Sequence, residues 1–424
     1  GQKKVISEIN TDLKANLRMF RILQGDVGSG KTIVAIIAAI NSIESGYQCG
    51  LMAPTGILAE QHFKLLNKLI VQSNLKINIE LLTGKTDSKK RKKILIDLEN
   101  KKIDFLIGTH ALFQKTISFH RLGLIIIDEQ HKFGVQQRIR FAKKGGVNCD
   151  VLLLSATPIP RTMMMSIYGD MDSSKLEEKP IHRQRILTLS KPENKINELW
   201  PFLEKKIKDN EQIFWVCPLI EDSKKLNYSS TTRTFELVNK KFPKKVGFIH
   251  GALNQEEKEI VLNKFLNNEI SILVSTTVIE VGVDFPNATV IIIENSNKFG
   301  LAQLHQLRGR IGRGDKSGTC ILLFKNQLSQ NAKARIQILK KSDDGFYIAE
   351  EDMRLRGYGD IVGFKQSGIK LFKLADPVHH EDLFKLAEEN VNNLSNSRIN
   401  SSKYDFLLKL FDKVDLTDDE RASS

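Results

Sequence analysis

The segment that most constrains the fold is residues 25–32, Gly-Asp-Val-Gly-Ser-Gly-Lys-Thr, which fit the pattern GxxxxGK[ST] without a mismatch. An apolar run at 19–23 precedes the segment, and a helical pattern rich in isoleucine follows it. In this setting the glycines let several backbone N–H groups face an anion, and the helix adds its positive end. The sequence therefore predicts a phosphate-binding loop in an α/β domain. A chance glycine-rich turn would not explain the flanking strand and helix.

We expect every residue of this loop to contact a nucleotide. Lys31 is expected to reach the β- and γ-phosphates, and the hydroxyl of Thr32 is expected to hold Mg²⁺. The other nucleotide-binding candidates of the loop are Gly25, Asp26, Val27, Gly28, Ser29 and Gly30.

Apolar runs of strand length alternate with longer helical patterns in two blocks of the chain. Continuous apolar runs separated by helices are typical of parallel sheets that are covered by helices on both faces. We therefore predict two tandem α/β domains at 1–175 and 191–341, a linker at 176–190, and a helical and loop segment at 342–424. The expected strands are 19–23, 48–53, 77–82, 105–108, 124–127 and 151–154, then 213–217, 246–250, 270–275, 290–293 and 319–324.

Two adjacent acids, Asp128 and Glu129, follow the apolar run 125–127. Ligands of open α/β sheets bind at the carboxyl ends of the strands, which is where these acids fall. We expect Asp128 to bind Mg²⁺ through water, and Glu129 to orient and deprotonate the attacking water. A lone acid pair is usually a solvated turn, but the buried strand and the phosphate loop favour hydrolysis here.

Three arginines lie within the short segment 306–313. Arg310 follows Lys31 by about 280 residues, which is too far for one small nucleotide-binding domain. If both segments touch one nucleotide, ATP lies between two domains, and its hydrolysis can open and close the gap. Arg310 and Arg313 are the candidates for stabilising the transferred phosphoryl group, and a basic helix face on nucleic acid is the alternative. Arg308 is left with DNA binding or a structural role.

The charge of the chain favours a polyanionic partner, because its 424 residues carry a net charge of +14. A solvated lysine-rich surface is the alternative. The four cysteines form no CxxC pair and lie in or beside apolar runs, which predicts buried thiols in a reducing compartment. No apolar run reaches the roughly 18 residues that span a bilayer, so we expect a cytoplasmic protein without a membrane segment. The histidines that show no metal spacing, and that we expect to be surface or core residues, are His62, His120, His182, His379 and His380.

Together these segments resemble the motor of superfamily 2 helicases, which has paired RecA-like domains, and most closely that of the RecG family. The matching motifs are 25–32, 128–131, 155–162, 274–286 and 306–313. Two further segments, 133–138 and 346–368, resemble elements that RecG shares with the transcription-repair coupling translocase. The exact amino-acid sequences of 24–32 and of 128–131 favour RecG. Tyr358 departs from the family pattern, which has a proline between two glycines there.

The resemblance implies an ATP- and Mg²⁺-dependent translocase on double-stranded DNA. Such a motor remodels stalled forks and migrates branched intermediates, including Holliday junctions, as a monomer. The resemblance also implies that the chain is the C-terminal motor of a longer protein whose N-terminal wedge domain recognises forks. Two alternatives stay open: the transcription-repair coupling translocase, and a nucleic-acid-binding module that does not hydrolyse ATP. The intact loop lysine, the paired acids and the arginines of 306–313 argue against the second alternative.

The resemblance assigns roles to residues outside the phosphate loop as well. Gln306 joins the catalytic group, Asp284 bonds ribose or an arginine of 306–313, and Gln2 resembles a glutamine that reads adenine. The implied DNA-backbone contacts are Thr55, Gly84, Thr109, Thr276 and Thr277. Each threonine is alternatively a local cap or turn. The residues implied to couple hydrolysis to DNA movement are His131, Thr157, Arg354, Arg356 and Gln366. A structural salt bridge is the alternative for the two arginines.

We expect Arg313→Ala to spare nucleotide binding but to lower ATP turnover by about 10³- to 10⁵-fold, because such an arginine stabilises charge that develops only during phosphoryl transfer. Binding of a fluorescent ATP analogue and steady-state phosphate release measure the two effects separately. Equal losses of binding and turnover would remove Arg313 from this role.

Overall fold

The structure is a computed structural model that describes residues 1–114, 116–128, 149–156, 171–178, 185–218, 224–251, 253–276, 285–312, 314, 316–325, 328–356, 380, 382–383, 386–387 and 389–390. The chain divides into two compact units, Gly1–Gly357 and Tyr358–Ser424. The first unit contains two sheets. In the second unit, the backbone N–H of Leu383 donates to the carbonyl of His380 at 3.1 Å.

The first sheet has seven strands in the order β3-β4-β2-β5-β6-β1-β7, and its pairings are parallel. Its strands are β1 (Phe20–Gly25), β2 (Gln48–Met52), β3 (Ile79–Leu82), β4 (Phe105–Gly108), β5 (Leu122–Ile127), β6 (Asp150–Ser155) and β7 (Asp172–Leu176). The helices of this domain are α1 (Gln2–Lys14), α2 (Lys31–Glu44), α3 (Gly56–Gln72) and α4 (Ser88–Glu99), with a 3₁₀ turn at His110–Phe113.

Both faces of the first sheet are buried, because successive side chains point to opposite sides of a strand. In β1, Leu23 belongs to a cluster that includes Val34 of α2, whereas its neighbour Ile22 belongs to a cluster that includes Ile94 of α4. All four side chains are buried. The polar groups that a ligand needs are thereby confined to the ends of the strands.

The second sheet has six strands in the order β10-β11-β9-β12-β13-β8, and its pairings are also parallel. Its strands are β8 (Leu187–Pro192), β9 (Gln212–Val216), β10 (Val246–Ile249), β11 (Ile272–Ser275), β12 (Ala288–Ile293) and β13 (Thr319–Phe324). Its helices are α5 (Trp200–Lys208), α6 (Lys224–Lys241), α7 (Gln255–Leu266), α8 (Leu301–Arg308), α9 (Gln330–Lys341) and α10 (Gly345–Arg356). Two 3₁₀ turns lie at Glu193–Leu199 and Ser296–Lys298.

A tryptophan and a buried acid organise the centre of the second sheet. Trp215 of β9 is fully buried, and its indole N–H donates to the carboxylate of Glu294 at 2.8 Å. The hydroxyl of Thr234 donates to the same carboxylate at 3.1 Å. Burial raises the pKa of Glu294, and the two donors partly offset this effect. The carboxyl end of β12 is therefore fixed just before the chain turns toward α8.

The predicted fold class is confirmed, because two parallel-sheet α/β domains follow one another along the chain. Each of the eleven predicted strands is present. Two edge strands lie outside the prediction. β7 reads Asp-Ser-Ser-Lys-Leu and is polar, since it pairs with β1 at the margin of the sheet rather than in its centre. Residues 187–190, which were predicted as linker, belong instead to β8, where they pair with β13.

The first helix of the C-terminal segment, which is predicted to begin at residue 342, lies on the second domain. Helix α10 packs against α8 and α9. The carboxylate of Asp352 accepts hydrogen bonds from the backbone N–H groups of Leu301 at 3.1 Å and Ala302 at 3.4 Å. Because these donors open α8, Asp352 caps that helix from outside. The unit that contains the sheets accordingly extends to Gly357.

The four cysteines are free and buried, as the sequence predicts. Burial raises the pKa of Cys49, Cys149 and Cys320 to about 12, which keeps these thiols protonated at neutral pH. Within the described ranges, no helix combines the length and the apolar character that crossing a bilayer requires.

We expect Gly108→Ala to lower the free energy of unfolding by about 1–3 kcal/mol, because overpacking forces the backbone to shift. An added Cβ would lie 2.3 Å from the carbonyl oxygen of Leu82 on the neighbouring strand. Gly56→Ala is the matched control, since nothing lies within 4 Å of its added Cβ. Urea unfolding followed by circular dichroism compares the two variants, and equal stabilities would contradict the close approach of β3 and β4.

Candidate nucleotide and nucleic-acid site

The phosphate loop connects β1 to α2, and two of its glycines have left-handed backbone conformations. Gly28 has φ 83° and Gly30 has φ 89°, values that side-chain-bearing residues rarely adopt. Gly30 immediately precedes α2, so the first N–H groups of that helix face the loop. A Cβ at Gly25 would lie 2.5 Å from Ser29 Oγ, which excludes a side chain there. The loop therefore forms a compact cradle at the carboxyl end of β1.

Two side chains of the loop are placed to meet an anion. Lys31 Nζ donates to the carbonyl oxygens of Gly25 at 2.6 Å and Asp26 at 2.9 Å, so the ammonium group rests on the loop itself. Ser29 Oγ is buried and has no hydrogen-bond partner among the described residues. Leaving a buried hydroxyl unpaired costs about 1–3 kcal/mol, which a phosphate oxygen would relieve. Thr32 lies half-buried in the first turn of α2.

The N-terminal helix brings Gln2 to the same loop. Gln2 Nε2 donates to the carbonyl oxygen of Ser29 at 3.3 Å. The same nitrogen would lie 2.1 Å from a Cβ added at Gly30, so the amide occupies the space beside that glycine. Glycine at position 30 therefore serves both the backbone turn and the approach of Gln2.

Asp128 lies at the carboxyl end of β5, where its N–H donates to the carbonyl of Met52 at 2.9 Å. Its Oδ2 lies 2.9 Å from Nε2 of His62, and both side chains are largely buried. The sequence prediction missed this pairing, because it placed His62 only as a surface or core residue. The buried face of α3, which includes Leu58, His62 and Leu66, points His62 toward the sheet, but periodicity alone does not identify its partner.

The second domain reaches the phosphate loop through α8 and the turn that follows it. His305 Nε2 lies 3.1 Å from Asp26 Oδ1. A Cβ added at Gly309 would lie 3.4 Å from Cγ2 of Val27. Gln306 and Arg310 flank this contact in sequence, and Arg310 is 6% exposed. The structure thus brings the two segments that carry the predicted nucleotide site to one place. His305 was not predicted.

Arg308 has a structural position, and the alternative of DNA binding does not apply to it. Its side chain is 2% exposed. Its guanidinium lies 2.9 Å from Nδ1 of His305 and 3.2 Å from Oδ1 of Asp343, and it donates to the carbonyl of Ser342 at 3.0 Å. A cation enclosed in this way has no surface to offer to a phosphate backbone.

The candidate DNA contacts follow the carboxyl ends of strands. Thr55 caps α3, because its hydroxyl accepts from the N–H of Leu58 at 3.4 Å, which is the local role that the sequence left open. Gly84 follows β3, and nothing lies within 4 Å of a Cβ added there. Thr109 follows β4 and is buried. Thr276 follows β11, and its buried hydroxyl has no hydrogen-bond partner among the described residues.

Two further contacts join the domains beside these candidates. Lys85, next to Gly84, forms an ion pair with Glu259 of α7, and this bond raises the pKa of Lys85. Ile57 of α3 packs against the core of the second domain. The ion pair is exposed on the lysine side, so a polyanion has access to the same ammonium group.

The candidates for coupling are divided between α10 and segments outside the described residues. Arg354 is exposed and pairs with Glu351 one turn earlier at 3.0 Å, which corresponds to the structural alternative. Arg356 ends α10, and its side chain is not described. The predicted site residues that lie outside the described ranges are Glu129, His131, Thr157, Thr277, Asp284, Arg313 and Gln366.

Three protein families match consecutive parts of the chain. Residues 1–166 match the DEAD/DEAH box helicase family, and residues 194–315 match the helicase conserved C-terminal domain. Residues 342–413 match ATP-dependent DNA helicase RecG, domain 3, C-terminal.

Curated relatives and a solved structure are similar over most of the chain. ATP-dependent DNA helicase RecG of Bacillus subtilis is 45% identical over 93% of this chain and 58% of its own length. The Synechocystis protein of the same name is 45% identical over 92% of this chain and 47% of its own length. The structure of RecG bound to three-way DNA junction matches with a TM-score of 0.76 and 42% identity, over 90% of this chain and 49% of that one. The chain therefore spans about half the length of the relatives that it matches.

We expect Lys31→Ala to weaken nucleotide binding at least about tenfold and to abolish ATP turnover, because charge-assisted hydrogen bonds contribute about 1.5–3 kcal/mol each. Lys64→Ala, which removes an exposed lysine of α3, is the matched control. Titration with a fluorescent ATP analogue and phosphate release measure both effects. Unchanged affinity in Lys31→Ala would contradict a phosphate-binding role for this loop.

Proposed function

Because the chain belongs to the RecG family of helicases, we propose that it is an ATP-driven motor on double-stranded DNA. Its task would be to remodel stalled replication forks and to migrate branched recombination intermediates. The observation that carries this proposal is the contact of α8 with the phosphate loop, through His305 and Asp26. A nucleotide bound by the loop would meet both domains there, so its hydrolysis can change their separation.

Nucleotide binding would begin with an exchange of partners at the loop. Lys31 would leave the carbonyls of Gly25 and Asp26 for the β- and γ-phosphates, and Ser29 would gain a partner for its buried hydroxyl. The further residues that we propose to bind the phosphates, the adenine and the ribose are Val27, Gly28, Gly30, Gln2 and Asp284. The hydrogen bond of Gln2 to the phosphate loop supports a role for Gln2 in nucleotide binding.

The oxygen donors of the site fit Mg²⁺, which would neutralise phosphate charge. Thr32 and Asp128 would hold the ion, Asp128 through water, and the carboxylate would then give up its present contact with the imidazole of His62. Glu129 would orient and deprotonate the attacking water. Arg310 and Arg313 would stabilise the transferred phosphoryl group, with Gln306 beside them.

The DNA backbone would run along the carboxyl ends of both sheets. Contacts from hydroxyl and backbone N–H groups carry no base information, which suits a motor that moves along any sequence. The proposed contacts are Thr55, Gly84, Thr109, Thr276 and Thr277. The hydroxyl of Thr276, which is unpaired within the described part of the chain, supports this set, as does the net charge of +14.

Movement of DNA would pass from the nucleotide to the C-terminal segment. We assign His131 and Thr157 to sensing the γ-phosphate, and Arg354, Arg356 and Gln366 to displacing the duplex. The exposure of Arg354 on α10 supports its availability to DNA. A branched substrate is supported by the likeness to RecG bound to three-way DNA junction, and we propose that the chain acts as a monomer.

We expect ATP turnover to rise at least about tenfold on adding duplex or three-way-junction DNA, since DNA would favour the closed arrangement of the two domains. The stimulation should weaken steeply as salt rises from 50 to about 200 mM, because backbone contacts release counterions. Lys31→Ala reports any contaminating ATPase. Turnover that does not respond to DNA would contradict the motor proposal.

A further inference from the structure

A continuous set of polar contacts crosses from the phosphate loop into the second domain through α8. Asp26 contacts His305 at 3.1 Å, and His305 contacts Arg308 at 2.9 Å. Arg308 in turn reaches Asp343 at 3.2 Å and the carbonyl of Ser342 at 3.0 Å. His305 and Arg308 are both buried, so the contact between them is shielded from water.

The arginine determines which nitrogen of His305 carries the proton. A guanidinium only donates hydrogen bonds, so Nδ1, which faces Arg308, must accept and therefore has no proton. The proton of the neutral ring then lies on Nε2, the nitrogen that faces Asp26 Oδ1. His305 consequently donates a charge-assisted hydrogen bond to the carboxylate of the phosphate loop.

Asp26 forms several of the hydrogen bonds that hold the phosphate loop together. Its Oδ1 also accepts from the N–H of Val27 at 2.8 Å, and its carbonyl oxygen accepts from Lys31 at 2.9 Å and from the N–H of Ser29 at 3.1 Å. Fixing the Asp26 carboxylate therefore fixes the peptide groups that hold Lys31 before a phosphate arrives.

Helix α8 is well suited to carry this constraint, because both of its ends are held by the segment that follows α9. Asp352 caps its first N–H groups, and Arg308 ties its last turn to Ser342 and Asp343. The helix has only eight residues, so His305 has little freedom to move independently of either end.

We propose that His305 is a positioning residue that sets the phosphate loop from the second domain through Asp26, with Arg308 holding it in the Nε2–H tautomer. The consequence of this role rests on the proposed function. DNA that binds the second domain would change how well the phosphate loop is arranged for ATP hydrolysis. This role adds His305 and Arg308 to the machinery, although neither needs to touch the nucleotide.

Two substitutions separate this role from a purely structural one. His305→Gln retains a side-chain N–H long enough to reach Asp26. His305→Asn retains an acceptor for Arg308, at the position of Nδ1, but is too short to reach Asp26. If His305 only pairs Arg308, the asparagine variant should behave like the unaltered chain and the glutamine variant should be the weaker one.

We expect the opposite order. His305→Asn should lower the DNA-stimulated kcat by about tenfold, with the KM for ATP changed less than about threefold, whereas His305→Gln should keep kcat within about threefold. Thermal unfolding of both variants monitors their stability. Equal kcat in His305→Asn and the unaltered chain, or a larger loss in His305→Gln, overturns the proposal.

The tautomer is measurable without DNA or ATP, which separates this inference from the proposed function. In a long-range ¹H–¹⁵N spectrum of the ¹⁵N-histidine-labelled chain, the ring signals missing from His305→Asn belong to His305. We expect a neutral ring protonated at Nε2. A proton on Nδ1 overturns the assignment, even if DNA-stimulated turnover is present. Absence of that turnover in the unaltered chain would instead contradict the motor proposal. The measured tautomer would still show whether His305 donates to Asp26.

Discussion

The structure depends on one constraint, which is that parallel sheets covered by helices on both faces have no room for polar chemistry except at the ends of their strands. Ile22 and Leu23 of β1 are buried on opposite faces, and the chain becomes polar only where β1 gives way to the phosphate loop. The same holds at β5, which is followed by Asp128, and at β11, which is followed by Thr276. The candidate site residues therefore lie at the carboxyl ends of the strands in both sheets. The contact of α8 with the phosphate loop joins these two sets of strand ends.

The contacts that join the two domains differ in strength. The ion pair of Lys85 with Glu259 is exposed on one side, and pairs of that kind contribute about 0–1 kcal/mol. The contact of His305 with Asp26 is largely buried, and Arg308 contacts the other ring nitrogen of the same histidine. A polyanion that draws Lys85 away from Glu259 would loosen the outer contact and leave the inner one in place. Among the contacts that join the two domains, the ion pair of Lys85 is thus the more easily replaced, whereas the contact of His305 lies on the phosphate loop itself.

The sequence predicted the centre of each sheet and the phosphate loop, because apolar runs and a glycine-rich turn are local signals. It did not predict β7 or β8, since an edge strand such as Asp172–Leu176 is stabilised by its neighbour rather than by its own apolar pattern. The pairings of His62 with Asp128 and of His305 with Asp26 join residues far apart in the chain, and no local pattern identifies such partners. Arg308 stands among arginines of similar sequence context, and its structural role becomes visible only through its contacts with Ser342 and Asp343.

The two unpredicted edge strands also limit how far the two domains can separate. β7 ends at Leu176 in one sheet and β8 begins at Leu187 in the other, so a tether of about ten residues joins them. A chain of that length extends to about 35 Å at most, whatever path it takes. The separation of the two domains therefore has an upper limit that covalent geometry alone sets. Inserting glycine and serine into this tether would raise the maximum separation of the two domains without altering any residue of the candidate nucleotide site.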